Sequence, residues 1–183
     1  SSVQCSPRSE ILYVGDCLPS KGLGLLLSAF RELSFSLTLI GDHFDWIKRS
    51  FPTGANLGLK ILGPLSVEEV ANHISAARCV VIPSLREGIP RIMIEALDLG
   101  TPAIINSQAN FTPYVEHLNG VFLSDFSASS LAELLENSGI DKSFSSFHED
   151  LTVGVAEYTE LVDQIFKKCL SGKSQGGRVN LRA

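Results

Sequence analysis

Cysteine is sparse and scattered in this chain. Cys5, Cys17, Cys79 and Cys169 form no Cys-x-x-Cys pair and stand beside no His-rich segment, which argues against a zinc site or a redox dithiol and fits a reduced, cytosolic setting. Long apolar runs are also missing. The longest, Leu25-Leu26-Leu27 and Cys79-Val80-Val81-Ile82-Pro83, fall far short of the ~20 residues that span a bilayer. Ser1 to Glu10 is polar and lacks the charged start and apolar middle of a signal peptide, so the chain reads as soluble and as a segment of a longer protein. Positive charge is in deficit: the net charge is -5 and the pI about 5.3. No basic face draws the chain to phosphate polymers, and nucleic acid is not an expected partner.

Three nucleotide and hydrolase signatures are absent too. No Gly-x-x-x-x-Gly-Lys-Ser/Thr run or Gly-x-Ser-x-Gly elbow occurs, which sets aside P-loop phosphohydrolases and the usual α/β-hydrolases. Gly22-Leu23-Gly24 begins a dinucleotide fingerprint, but Leu27 stands where the third glycine belongs. His43, His73, His117 and His148 are isolated from one another, with no ligand-spaced partner, and no metal site is expected. Trp46, with Phe44 and Phe51, could stack a base, although aromatics at such spacing more often serve as core.

What the chain does contain is a regular alternation. Its 183 residues, 44% of them hydrophobic, suit one domain with a packed core. Ile11 to Val14, Leu37 to Ile40 and Leu59 to Leu62 are short apolar runs, each ending at a glycine (Gly15, Gly41, Gly63). Leu23, Leu26, Leu27, Phe30 and Leu33 recur at helical spacing, and Asp45 to Ser50 fits a short helix. Ser66 stands three residues before Glu69, the spacing of a capping box, and Val70 and Ile74 supply the apolar face of the helix it opens. Cys79 to Ile82 reads as a strand, Pro90 to Leu99 as a helix, Ala103 to Ile105 and Val121 to Leu123 as strands, and Leu131, Leu134 and Leu135 mark another helix. The segment from Val153 to Leu170 reads as a terminal helix. Short strands alternating with helices imply a parallel sheet covered on both faces, because parallel neighbours need crossover connections. Residues 1–10 are then a linker or cut end, 11–170 the domain and 171–183 a polar, mobile tail.

In such sheets ligands bind beyond the carboxyl ends of the strands, which draws attention to the corner Pro83-Ser84-Leu85-Arg86-Glu87-Gly88-Ile89-Pro90-Arg91-Ile92-Met93-Ile94-Glu95. Pro90 suits the first turn of a helix, where the amide lacks an internal partner. The next amides, including those of Arg91 and Ile92, stay free at the positive end of the helix dipole, and Gly88 admits a ligand close to the backbone. Glu87 precedes the helix and Glu95 lies about one and a half turns inside it, so the two carboxylates can accept hydrogen bonds from separate hydroxyls of one elongated ligand. In isolation such a pair is more often merely solvated.

The segment resembles the donor-binding segment of the retaining group 1 glycosyltransferases, family four, whose fold is GT-B and whose two glutamates are separated by seven residues. Val14-Gly15, Lys21-Gly22, Leu26, Ala29 and Phe30 match the family's first strand, loop and helix. Leu39-Ile40-Gly41-Asp42, Leu62-Gly63-Pro64-Leu65, Ala77-Arg78 to Pro83-Ser84, Glu95-Ala96-Leu97, Gly100-Thr101-Pro102 and Asn119-Gly120 follow in the family's order, so the resemblance covers about Ile11 to Leu135. It implies a Rossmann-like domain, the carboxy-terminal half of a GT-B fold, that transfers a sugar from a nucleotide-sugar donor with retention. By the same resemblance Lys21 pairs with the donor diphosphate, Glu87 contacts the transferred sugar and Glu95 the ribose. Glu87 and Lys21 are thus the implied catalytic residues. Gly15, Asp16, Arg86 and the run Gly88, Ile89, Pro90, Arg91 and Ile92 complete the implied donor site. No cofactor and no metal are implied. The acceptor, a sugar, lipid or protein, and any peripheral attachment to a membrane depend on an amino-terminal domain that this sequence does not include.

The chain departs from the family at several places. Asp16 stands where the family usually has an arginine that helps neutralise the diphosphate. Either Arg86 or Arg91 supplies that charge, or donor binding is weak, or Asp16 turns away and marks lost activity. Pro90 replaces a common glycine, the loop Gln108 to Pro113 lacks the family's paired glycines, and Tyr114 replaces a glutamate. The rival readings are a degenerate nucleotide-sugar-binding or scaffold domain and, more weakly, a nucleotide-sugar epimerase.

Overall fold

The computed structural model describes residues 10–50, 58–136 and 140, all within the first of two compact units, Ser1–His148. The terminal helix expected from Val153 to Leu170, the tail, the linker before Glu10, Cys5, Cys169, His148 and Phe51 lie outside the described residues. Among the described residues six strands form one sheet: β1 (Ile11–Val14), β2 (Leu37–Ile40), β3 (Leu59–Leu62), β4 (Cys79–Ile82), β5 (Ala103–Asn106) and β6 (Val121–Ser124). Their order across the sheet is β3-β2-β1-β4-β5-β6, and every neighbouring pair is parallel. The chain moves outward from β1 to β3, then returns to place β4 on the other side of β1. That reversal opens a crevice at the carboxyl ends of β1 and β4, the position at which doubly wound sheets take their ligands.

The strands are apolar almost throughout because helices cover both faces. Side chains alternate across the sheet with period two. Ile11, Tyr13, Leu37, Leu39, Cys79, Val81 and Ile104 face one side, against Leu23, Leu26, Leu27 and Phe30 of α1 (Leu23–Phe30), Ile47 of α2 (Asp45–Ser50), and Leu131 and Leu135 of α6 (Ala128–Glu136). Leu12, Ile40, Val80, Ile82, Ala103 and Ile105 face the other, against Ile74 of α3 (Val67–Ala76), Met93 and Ala96 of α4 (Arg91–Asp98), and Val115 of α5 (Thr112–Val115). Thr38 is the polar exception inside β2, and its buried hydroxyl donates to the Glu10 carboxylate.

The capping box reads as expected: Glu69 N–H donates to Ser66 Oγ at 3.3 Å while Ser66 N–H donates to Glu69 Oε2 at 2.8 Å. Two details differ from the sequence reading. Pro90 is extended (φ -64°, ψ 117°) and caps α4 rather than standing inside its first turn, a one-residue shift that leaves Arg91 and Ile92 as the leading amides. The loop expected to run through Pro113 ends earlier, because Thr112–Val115 forms α5 with its proline in the first turn, where a missing N–H costs nothing. No helix among the described residues is long and apolar enough to cross a membrane.

Candidate functional site

A cavity of about 170 Å³ opens at the carboxyl ends of β1 and β4, lined by Tyr13, Val14, Lys21, Val81, Ile82, Ser84, Glu87, Pro90, Arg91 and Ile92. Lys21 reaches it through a tight backbone contact. Pro19–Lys21 forms a single 3-10 turn, closed by Lys21 N–H to Leu18 O at 3.0 Å and Gly22 N–H to Pro19 O at 3.2 Å. Gly22 then adopts φ +68°, and a Cβ there would lie 2.3 Å from the Pro83 carbonyl oxygen. Only glycine combines that left-handed backbone with that approach. The turn therefore rests directly on the end of β4 and delivers Lys21 to the corner that follows it.

Across the cavity Lys21 Nζ donates to Glu87 Oε2 at 2.5 Å, with the two side chains 31% and 17% exposed. Glu87 itself sits on a loop held from the far side. Its N–H donates to Asn110 Oδ1 at 3.0 Å, and its carbonyl accepts from Asn110 Nδ2 at 2.9 Å. Beneath both loops Asn106, buried at the end of β5, donates through Nδ2 to Pro83 O at 3.2 Å and accepts from Gln108 N–H at 2.9 Å.

The floor of the cavity includes the buried phenol of Tyr13. Burial pushes its pKa well above the usual range, and the nearby Cys17, Glu87 and Asp16 push in the same direction. The phenol therefore stays protonated and acts as a donor, to the Asp16 carbonyl at 2.8 Å, which ties the loop after β1 to the sheet. Pro90 and the first turn of α4 form the opposite wall. The amides of Arg91 and Ile92 precede the helical ladder and point from the positive end of an eight-residue helix. Such an end, beside one lysine, favours an anion.

Of the residues singled out from sequence, Lys21, Glu87, Pro90, Arg91 and Ile92 come together around this cavity, whereas Gly15, Asp16, Arg86, Gly88, Ile89 and Glu95 do not line it. Asp16, Arg86, Gly88 and Glu95 are exposed around the corner. Arg91, with a side chain 89% exposed, lies 3.4 Å from Glu95 one helical turn on. Phe44 is buried in the core rather than free to stack. Among the described histidines His73 lies 3.9 Å from Glu10 and His43 3.9 Å from Asp42, both away from the cavity lining. Sequence reasoning missed Tyr13 and Asn110. Tyr13 was legible only as a strand residue, and Asn110 is separated from Glu87 by 23 positions, so nothing local in the sequence announced the contact.

The family described as Glycosyl transferases group 1 matches residues 6–143. Among curated relatives, an uncharacterized glycosyltransferase of Methanocaldococcus jannaschii is 33% identical over 51% of this chain and 27% of its own length. The amylovoran biosynthesis glycosyltransferase AmsK of Erwinia amylovora is 28% identical over 69% of this chain and 35% of its own. The chain thus spans about a third of the length of these relatives. The fold resembles that of Anabaena HepE in complex with UDP-glucose, with a TM-score of 0.67 at 19% identity over 90% of this chain and 49% of that one. It also resembles sucrose-phosphate synthase of Thermosynechococcus elongatus, with a TM-score of 0.67 at 18% identity over 91% and 46% of the two chains. With residues 6–143 covered by the family model and a parallel sheet that opens its crevice where Lys21 and Glu87 meet, this chain belongs to the group 1 glycosyltransferases.

Proposed function

We propose that the chain is the donor-binding domain of a retaining glycosyltransferase, and that a nucleotide sugar binds across the cavity between β1 and α4. The observation that carries this reading is the meeting of Lys21 and Glu87 beside the free amides of Arg91 and Ile92. Lys21 and those amides meet the diphosphate, Glu87 accepts hydrogen bonds from the hydroxyls of the transferred sugar, and Glu95 reads the ribose. As the bond to the leaving nucleotide breaks, negative charge grows on the diphosphate, and fixed positive groups stabilise it without a metal ion or cofactor. The cavity, about 170 Å³, is smaller than the ~300 Å³ and upward of most ligand sites. It takes the diphosphate and part of the sugar, while the remainder lies over the open carboxyl edge of the sheet. A second, amino-terminal domain of a GT-B enzyme covers that edge and brings the acceptor.

Asp16 is the observation that favours the rival, a domain that has kept its fold and lost turnover. Its exposure outside the cavity lining instead supports a side chain turned from the donor. Arg91, at the start of α4 and on the cavity wall, is better placed than Arg86 to supply the charge that the family takes from an arginine at that position.

A thermal-shift screen of nucleoside diphosphates and their sugars tests the proposal, because a ligand that binds only the folded state raises its stability, by about 2.7 kcal/mol at a hundred times Kd. At least one nucleotide sugar is expected to raise the midpoint, with no transfer by the isolated chain. If no compound of a uridine, guanosine, adenosine and thymidine panel shifts it, the donor reading is wrong. Product analysis separates the remaining possibilities: an isomerised donor identifies an epimerase.

A further inference from the structure

We infer that Asn110 is a positioning residue that sets the place of the Glu87 carboxylate, and through it the binding of the sugar half of the donor. This rests on the donor-site reading above.

Asn110 stands on the loop between β5 and α5 and engages the β4–α4 loop three times. Its N–H donates to Leu85 O at 3.1 Å, its Oδ1 accepts from Glu87 N–H at 3.0 Å, and its Nδ2 donates to Glu87 O at 2.9 Å. The carboxamide thus reads both backbone groups of one residue, as a neighbouring strand does, on a stretch of chain beyond the last strand pairing. The loop that presents it is itself fixed. Asn106 bonds Pro83 O and Gln108 N–H, Ala109 N–H donates to Asn106 O at 3.1 Å, and Thr112 Oγ1 donates to the same carbonyl at 2.6 Å.

Glu87 is consequently held at two points of different kinds. Lys21 grips its carboxylate and Asn110 grips its backbone. When a diphosphate competes for Lys21, the first grip loosens and only the second still fixes the backbone from which the carboxylate projects. The Asn110 clip therefore matters most in the donor-bound state. Because the Glu87 N–H is spent on Asn110, the corner offers phosphate the amides that follow Glu87, not its own. Asn110 has no left-handed backbone, so alanine fits its conformation, and the main-chain bond to Leu85 survives the change.

Calorimetric titration of the chain with UDP and UDP-glucose, and with GDP and GDP-mannose as a second pair, tests the inference through the gain in affinity that the sugar brings. In Asn110→Ala the nucleotide-sugar affinity is expected to fall about tenfold while the nucleoside diphosphate affinity changes less than about twofold, the loss being that of two hydrogen bonds of ordinary strength. Asn110→Ser, whose shorter hydroxyl engages one group at most, is expected to fall between, and guards against an alanine variant that fails to fold. In a Glu87→Gln background, Asn110→Ala is expected to remove nothing further from the sugar's contribution. Equal losses for nucleotide and nucleotide sugar, or an undiminished Asn110 effect without the Glu87 carboxylate, overturn the positioning role and leave the donor site standing. A wild-type chain that binds none of the four compounds overturns the donor reading and this inference together.

Discussion

Lys21 and Glu87 neutralise each other before any donor arrives, at 2.5 Å and partly shielded from water. An ion pair this accessible contributes at most about 1 kcal/mol to stability, and its greater consequence for the proposed donor site is competition: a diphosphate bound there has to draw Lys21 away from a carboxylate. Glu87→Gln is therefore expected to have two opposite effects in calorimetry. The freed lysine tightens nucleoside diphosphate binding by roughly two- to fivefold, while the further gain from an attached sugar shrinks. Weaker binding of both would show that the pair does not compete with phosphate. Gly22 is the second residue on which the site depends. Its φ of +68° and its approach to the Pro83 carbonyl make Gly22→Ala costly by about 1–3 kcal/mol from the backbone alone, with the clash in addition. A lowered denaturant midpoint and weakened nucleotide binding are expected together, since the same contact places Lys21. An alanine variant as stable as the parent would contradict the close approach.

At the scale of elements, what could be read from the sequence was whatever depends on neighbours along the chain. The four-residue apolar runs became strands because both faces of a parallel sheet are covered, and the Ser66/Glu69 spacing became a capping box because a helix start needs its orphan amides met within one turn. The corner from Pro83 to Glu95 was legible for the same reason: strand, glycine, proline and helix lie in one stretch. The cross-loop contacts were not legible. Gly22 meeting Pro83 and Asn110 meeting Glu87 arise only when the topology brings loops after β1, β4 and β5 to one edge. Helix α5 was missed because Pro113 reads as a loop signal, although a proline in the first helical turn is well tolerated. The α3 cap supplies a test that leaves the site alone. Ser66→Ala is expected to cost about 1 kcal/mol in chemical denaturation and to leave nucleotide affinity unchanged. The Glu69 carboxyl is held below its ordinary pKa first by the Ser66 side chain and then by the Ser66 backbone. A depressed carboxyl contributes stability above its unfolded pKa and loses it as the pH falls through the folded one. The acid limb of the stability profile is thus expected to flatten in Ser66→Ala, and an unchanged limb would contradict the box.

At the scale of the whole molecule, the order β3-β2-β1-β4-β5-β6 explains why one edge gathers the chemistry. The reversal between β1 and β4 opens a crevice at the carboxyl edge of the sheet, and the loops that carry Lys21 and Glu87 flank it. The chain spans about a third of the length of its curated relatives, and under the proposed closure of the crevice by a second domain, donor binding by this chain is expected without sugar transfer. Titration calorimetry of the best-binding nucleotide sugar against the chain and its Lys21→Ala variant tests whether a donor sits between Lys21 and Glu87. Saturable binding by the parent and a loss of about tenfold or more in the variant are expected, as for a charge-assisted hydrogen bond to phosphate. Equal affinity in the two proteins would contradict a donor seated between Lys21 and Glu87.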